Sequence, residues 1–229
     1  MELKILSWNI WIDCRFDEVK DFLRSSNADI IGLQEVKDDD PGRGIIGYLT
    51  SLGYQHAFAP VKKVWGDKTY NDGPAIFSKY PILKSEIYNL SEINNRAAVR
   101  ADIEVEGTVL HIFSTHLIHT HQQPSELQES QVDSLVKVLP ADYTVVMGDF
   151  NATPESKAIQ KMAEVMVDTD PTSAPTWSMY LEGCLVCKLQ IINTRLDYIF
   201  ASENLKTHSF EVGQSKGSDH LPVSVIVEI

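Results

Sequence analysis

Cysteine is scarce in this chain. Cys14, Cys184 and Cys187 are the only three in 229 residues, too few for a disulfide framework, so a reducing interior is the expected setting. No apolar run approaches the ~20 residues needed to span a bilayer. The start, Met1-Glu2-Leu3-Lys4, leads into a strand-like run without the basic and apolar regions of a secretory signal. These absences predict a cytoplasmic protein with no membrane insertion. Positive charge is also in short supply: 20 Lys and Arg face 32 Asp and Glu, a net charge of −12, and neither half is basic. A sequence-blind nucleic-acid clamp needs a basic face. Any phosphate-bearing substrate must therefore be held by a local cluster or a metal ion. Repeats, low-complexity tracts and Pro/Gly/Ser-rich linkers are missing as well, which predicts one domain over residues 1–229, expected as a monomer.

What is present is an alternation of short apolar runs with amphipathic segments, the pattern of mixed α and β structure. Strands are expected at Leu3–Asn9, Asp29–Glu35, Tyr54–Ala59, Gly73–Lys79, Arg96–Glu106, Val109–Leu117, Tyr143–Asp149, Arg195–Ser202 and Val223–Ile229. Phe16, Val19 and Leu23 recur at helical spacing before Asn27, and Ile45, Leu49 and Leu52 before Gly53. Ser125 and Gln128 have capping-box spacing ahead of Val132, Leu135, Val136 and Leu139, stopped by Pro140. A fourth helix is expected with Thr153 as N-cap and Pro154 at its first position.

The polar residues fall at the ends of these strands. Leu3–Trp8 ends in Asn9, Ile30–Leu33 in Gln34-Glu35, Leu110–Phe113 in Ser114-Thr115-His116, and Val145–Gly148 in Asp149-Phe150-Asn151. Asp197 and Asp219-His220 each open an apolar run. A carboxylate in the middle of a buried strand costs heavily unless paired, so these groups belong where strands emerge. If the ends meet, carboxylates, amides and imidazoles share one pocket. Crowded carboxylates raise one another's pKa unless a cation lies among them. Oxygen donors in that number suit Mg2+, with Mn2+ as the alternative, better than zinc.

Six segments then stand in a telling order: Ser7-Trp8-Asn9, Leu33-Gln34-Glu35-Val36, Ser114-Thr115-His116-Leu117, Gly148-Asp149-Phe150-Asn151-Ala152-Thr153-Pro154, Leu196-Asp197-Tyr198-Ile199 and Ser218-Asp219-His220-Leu221-Pro222. Together they resemble the endonuclease/exonuclease/phosphatase superfamily, and Gly73–Ile82 and Asn95-Arg96-Ala97 look like further segments of it. The resemblance implies an α/β (α+β) four-layered sandwich, two packed mixed sheets flanked by helices, and metal-dependent attack of water on a phosphate ester. It implies that Glu35 binds the metal with Asn9 and Asp219 close by, and that Asp149 orients and deprotonates the water. Asn151 would hydrogen-bond the phosphoryl oxygens, Asp197 would orient a cationic His220, and His116 would be a second phosphate contact. The chemistry asks for these residue types independently: an Asp is a feeble base unless a nearby metal acidifies the water, and an amide donates without titrating.

Substrate selection is expected from two loops. Val61–Gly73 brings Lys63 and Trp65, and the Thr176-Trp177 segment brings Trp177, which could equally be core; Arg96 joins them as a substrate contact. His119 and His121 read as loop or rim. Cys184-x-x-Cys187 lacks a partner pair for zinc, and Asp38-Asp39-Asp40 reads as a solvated loop. Gly213-Gln214-Ser215-Lys216-Gly217 matches G-x-S-x-G but precedes a strand, against a serine esterase. Gln128 stands where the superfamily often has Arg, which bears on one supporting pair; no acid follows two residues after Asn9 as in apurinic endonucleases, and Asp-Phe-Asn replaces the Asp-Thr-Asn of tyrosyl-DNA phosphodiesterases, so neither DNA-repair branch is securely matched. The expected function is hydrolysis of a phosphodiester, with DNA or RNA among the candidate substrates. The alternatives are a phosphatase or lipid phosphodiesterase acting on inositol phosphates or phospholipid head groups, and a non-catalytic binding module of the same fold.

Overall fold

A computed structural model of the chain describes residues 1–37, 44–65, 68–178, 180 and 193–229. In chain order its strands are β1 (Glu2–Asn9), β2 (Ile30–Lys37), β3 (Gln55–Phe58), β4 (Val61–Trp65), β5 (Lys68–Ser78), β6 (Ile82–Ser91), β7 (Arg96–Val105), β8 (Thr108–His116), β9 (Thr144–Asp149), β10 (Val167–Asp168), β11 (Asp197–Ala201), β12 (Lys206–Val212) and β13 (Val223–Glu228). The helices are α1 (Phe16–Ser26), α2 (Ile45–Ser51), α3 (Glu126–Val136) and α4 (Lys157–Ala163). One sheet runs β12-β13-β1-β2-β5-β3 with β4 on β5; the other runs β10-β11-β9-β8-β7-β6. The expected α/β sandwich is the observed one.

Burial explains the layering. Leu3, Ile5 and Ile30 of the first sheet and Val99, Ile112, Val145 and Ile199 of the second share one apolar cluster between the sheets. The opposite face of the first sheet, with Leu6, Trp8 and Leu33, takes Val19 and Leu23 of α1 and Ile45 and Leu49 of α2. The outer face of the second, with Phe113, Val146 and Phe200, takes Val132 and Leu135 of α3 and Ile159 and Met162 of α4. Each such side chain removed from water contributes about 1.5–3 kcal/mol. Both central strands therefore bury both faces, which is why their polar residues are confined to the ends.

Local signals set the boundaries. Asn27 closes α1 at φ 49°, a left-handed cap, and Ser125 Oγ accepts from Gln128 N to start α3. The fourth helix departs from expectation: Thr153 and Pro154 lie in a turn closed by Ser156 N donating to Thr153 O, and Ser156 caps α4 by accepting from Ile159 N. The Val61–Gly73 loop is instead a hairpin, β4 paired antiparallel with β5 from Val61↔Asp72 to Trp65↔Lys68. Strands β6, β10 and β12 had no sequence signal, since β6 and β12 alternate over largely exposed edges and β10 is two residues long. Among the described residues no helix is long and apolar enough to cross a membrane. Cys184, Cys187 and Asp38–Asp40 lie outside the described residues.

Candidate active site

Strand direction brings the polar ends together. β1 and β2 are parallel, with Asn9 opposite Gln34, and β8 and β9 are parallel, with His116 opposite Asp149. Their neighbours run the other way, so they contribute their beginnings: β11 sets Asp197 opposite Asp149, β7 opens with Arg96, and β13 is preceded by Asp219-His220. Eight side chains from both sheets thus emerge at one rim. A Cβ at Gly148 would lie 2.0 Å from Thr115 O, so glycine is what permits the approach that places Asp149 beside His116.

Asp149, 1% exposed, is the most heavily held acid at this rim. Its Oδ1 accepts from Asn151 N (2.8 Å), and its Oδ2 accepts from Asn9 Nδ2 (3.0 Å) and Asn151 Nδ2 (3.1 Å). His116 Nε2 and His220 Nε2 stand 3.4 and 3.7 Å from the same oxygen. Burial still pushes its carboxyl up to about 6, against the lowering influence of His220. His220 Nδ1 donates to Asp197 Oδ2 at 2.8 Å, and Thr176 Oγ1 donates to the same oxygen at 2.6 Å. Burial opposes charge on His220, but Asp197 and Asp149 prevail and hold its pKa well above the ordinary value. The ring is a cation with Nε2–H directed at Asp149. His116 is the reverse: burial, then Arg96 and Lys63, hold it well below the usual range, as neutral imidazole.

Glu35 faces the other way energetically. It lies in an irregularity of the β2–β5 pairing between Leu33 and Val36 and has φ 61°, a left-handed conformation uncommon for a side-chain-bearing residue. Bulges re-aim side chains next to functional sites, and this one turns Glu35 toward Asn9. Among the described residues Glu35 accepts one hydrogen bond, from Asn9 Nδ2, and that bond is long at 3.3 Å. Burial first, then Asp72 and Asp219, push its carboxyl up to about 7. Asp219 itself accepts from Trp177 Nε1 at 3.0 Å, and Asn9 Oδ1 accepts from Trp11 N.

Asp149, Asp197 and His220 offer ligand atoms within 4.8 Å of one another. A cationic imidazole already paired to Asp197 is a poor metal ligand, however. The Glu35 side fits better: oxygen donors, excess negative charge and a carboxylate with one weak partner suit a hard divalent cation.

Lys63 and Arg96 lie beside Asp72 and His116 around a small cleft, with Lys63 Nζ 3.8 Å from Asp72 Oδ1. Trp177 is 3% exposed and belongs to the pocket wall. The side chain of Trp65 lies outside the description. Asn151 departs from the role implied by resemblance, since its two amide hydrogens already point to Leu117 O (3.1 Å) and Asp149 Oδ2. Its Oδ1 accepts from His119 Nδ1 at 2.6 Å. His119, read from sequence as loop or rim, thus reaches into the hydrogen-bond network around Asp149 and packs edge-on to Trp177 at 5.8 Å. Gln128 was also undervalued: its Nε2 donates to Ile118 O, Phe150 O and Asn151 O, tying α3 to both loops. Its place one helical turn past a cap was the available signal.

A family model, Endonuclease/Exonuclease/phosphatase family, matches residues 6–220. The chain belongs to this family. Among solved structures, an endonuclease/exonuclease/phosphatase from Beutenbergia cavernae superposes with TM-score 0.82 at 21% identity, covering 100% of this chain and 72% of that one. A family protein from Leptotrichia buccalis gives 0.79 at 20%, covering 99% and 100%. The human Nocturnin catalytic domain with bound sulfate gives 0.77 at 22%, covering 99% and 93%. No curated protein sequence matches the chain. The endonuclease/exonuclease/phosphatase match runs from β1 to His220, the same span over which both sheets deliver the rim residues.

Proposed function

We propose that this chain hydrolyses phosphate esters with a divalent cation, Mg2+ or Mn2+, and prefers a diester. The observation that carries the reading is the shared amide of Asn9. One NH2 group donates to Glu35 on the first sheet and to Asp149 on the second, joining a cation-seeking carboxylate to a base beside an imidazolium. Glu35, with Asn9 and Asp219 near it, would hold the cation. When bound, the cation neutralises phosphoryl oxygens and makes water more acidic.

The protein's own groups supply the rest. Asn9 and Asn151 fix the Asp149 carboxylate, which takes the proton as the water oxygen bonds to phosphorus. His220, kept cationic by Asp197, neutralises charge on the pentacoordinate phosphorus as the bond to the water oxygen forms and the bond to the leaving oxygen breaks. Arg96 and Lys63 meet the non-bridging oxygens beside His116. The net charge of −12 disfavours a processive nuclease, which gains affinity from many phosphate contacts. A second reading, phosphomonoester hydrolysis, is favoured by the paired Lys63 and Arg96, which could balance the extra charge of a monoester.

The test is release of p-nitrophenolate from bis-p-nitrophenyl phosphate and from p-nitrophenyl phosphate, with Mg2+ and after EDTA. Cation-dependent turnover of the diester in excess of the monoester supports the reading; the reverse order selects the second, and no cation-dependent turnover of either overturns both.

A further inference from the structure

Beneath the rim, the apolar layer between the two sheets contains a polar cluster. Ser7 of β1, Gln34 of β2 and Ser114 of β8 are all 0% exposed. Gln34 Nε2 donates to Ser7 Oγ at 3.4 Å in its own sheet and to Ser114 Oγ at 3.2 Å in the other. Ser114 Oγ donates back across the gap to Leu33 O at 3.3 Å, so a side chain and a main-chain carbonyl of β2 are both tied to β8. Stability alone does not select this arrangement. Among the described residues Gln34 Oε1 is buried without a hydrogen-bond partner, and leaving a buried amide oxygen unpaired is costly. The bonds made by Nε2 are longer than the usual 2.9–3.0 Å and offset little of that cost. An apolar side chain of the same length would fill the space without the orphaned oxygen.

The place of Gln34 in the chain supplies a reason for it. It is the last residue of β2 in register with β1, opposite Asn9, and its carbonyl accepts from Ile10 N at 3.2 Å. On the other side, pairing with β5 stops at Leu33 and resumes at Val36. β5 therefore does not fix how the chain leaves Gln34, and the next residue is Glu35 in its left-handed conformation. The side chain of Gln34 gives this junction a second anchor, on β8. Ser114 stands two residues before His116 on that strand, which pairs in parallel with β9 up to His116 opposite Asp149. The strand that aims Glu35 is thus joined to the strand pair that carries His116 and Asp149 by a route separate from Asn9.

We infer that Gln34 is a positioning residue for the cation site: by reaching from β2 to Ser114 it sets the direction in which Glu35 leaves its strand and the span from Glu35 to Asp149. The inference rests on the phosphoesterase reading above, in which Glu35 holds the cation. Gln34 touches neither cation nor substrate. It acts through the backbone of the residue that follows it, and the orphaned oxygen is the penalty accepted for that control.

The test titrates the full chain with Mn2+ and counts the free ion by electron paramagnetic resonance, so no turnover is needed. Gln34→Met keeps the length and removes the amide, and Ser114→Ala removes the acceptor on the second sheet. Ile112→Val, on the same strand and in the apolar cluster between the sheets, controls for general loosening of the core. Gln34→Met is expected to lower Mn2+ affinity about tenfold, the lower end of the range for outer-shell partners of metal ligands, with an unchanged or higher melting temperature. Ser114→Ala should also weaken Mn2+, and the double variant should lose no more than the larger single loss, because both act through one bond. Ile112→Val should leave the affinity unchanged. Unchanged affinity in Gln34→Met, whatever its melting temperature, overturns the inference, as do losses that add in the double variant or an equal loss in Ile112→Val. Wild type that binds no Mn2+ overturns the cation site and this inference together. Should the expected losses of Mn2+ affinity appear while neither p-nitrophenyl substrate is hydrolysed, the catalytic reading fails and the positioning role stands.

Discussion

Two acids a single amide apart are treated oppositely by this protein. Asp149 receives three N–H donors and lies beside two imidazoles; Glu35 receives one long hydrogen bond and has Asp72 and Asp219 as electrostatic neighbours. Burial is the first cause of the raised pKa in both, and the rise is similar, from 3.8 to about 6 for Asp149 and from 4.5 to about 7 for Glu35. The difference lies in the partners. On the Asp149 side the chain itself supplies the donors and the imidazoles, so the carboxylate is oriented before anything binds. On the Glu35 side compensation is left to a ligand, which is what a cation site requires.

The largest effect should come from breaking the self-sufficient side. Asp149→Asn keeps the shape and most hydrogen bonds but removes the proton acceptor, so kcat should fall by about 10²–10⁴, the range for general base catalysis. The melting temperature should stay within a few degrees, because a buried charge is lost along with its attractions. Retained turnover in the purified variant would move the base elsewhere.

Glu35→Gln strikes the other side. Even outer-shell partners of metal ligands cost about 10–100-fold in affinity or activity when removed, so losing the charge of Glu35 itself should weaken Mg2+ by at least that factor. Excess Mg2+ should restore part of the rate, as it should not for Asp149→Asn. Equal Mg2+ affinity in the two proteins would erase the contrast.

The contrast has a pH signature in metal-free protein. Folded Glu35 keeps its proton up to about 7, whereas the ordinary value is 4.5. The folded state therefore binds more protons across this window, and stability falls as pH rises from about 4.5 to 7, then levels off. In EDTA, the melting temperature of the wild type relative to Glu35→Gln should drop by a few degrees over that interval, and Mg2+ at pH 8 should reverse the drop. A flat difference would show that Glu35 titrates normally.

The two sides also differed in how readily they could be read. Asn9, Asp149, Asp197 and His220 end or open strongly apolar runs, and although Asn9 alone reads as a turn residue and Asp197 alone as a salt-bridged strand end, their company in one ordered set pointed to a shared rim. The mixture of strands and helices followed from the same alternation of runs, and the two-sheet sandwich from the resemblance of the ordered motifs to the family. What escaped depended on contacts that no local pattern encodes. The bulge that turns Glu35, the hairpin replacing the Val61–Gly73 loop, and the edge strands β6 and β12 are set by pairing with distant residues. His119 and Gln128 work through loops whose meeting is decided by the packing of α3 against α4. Local capping misled at α4, where Thr153 and Ser156 were both competent caps and the turn between them favoured the second.

The smallest effect expected is at His119, which acts on Asp149 through Asn151. An amide has one acceptor end and one donor end, and with its Oδ1 taken by His119 Nδ1, Asn151 must direct Nδ2 to Leu117 O and Asp149. His119→Ala removes the donor from Oδ1, so Nδ2 keeps Leu117 O and Asp149 as acceptors but the amide is held less firmly. Removal of a donor that contacts the developing charge costs about 10²–10³ in rate; one step removed, the loss should be nearer tenfold, in kcat with KM little changed. Weaker donation from the loosened amide should also raise the pKa of Asp149, moving the acid limb of the kcat profile to higher pH. His119→Gln, which restores an N–H donor, should return both the rate and the limb toward wild type. A loss confined to KM, or a profile that does not move, would make His119 a wall of the pocket and leave Asp149 held by Asn9 and the Asn151 backbone alone.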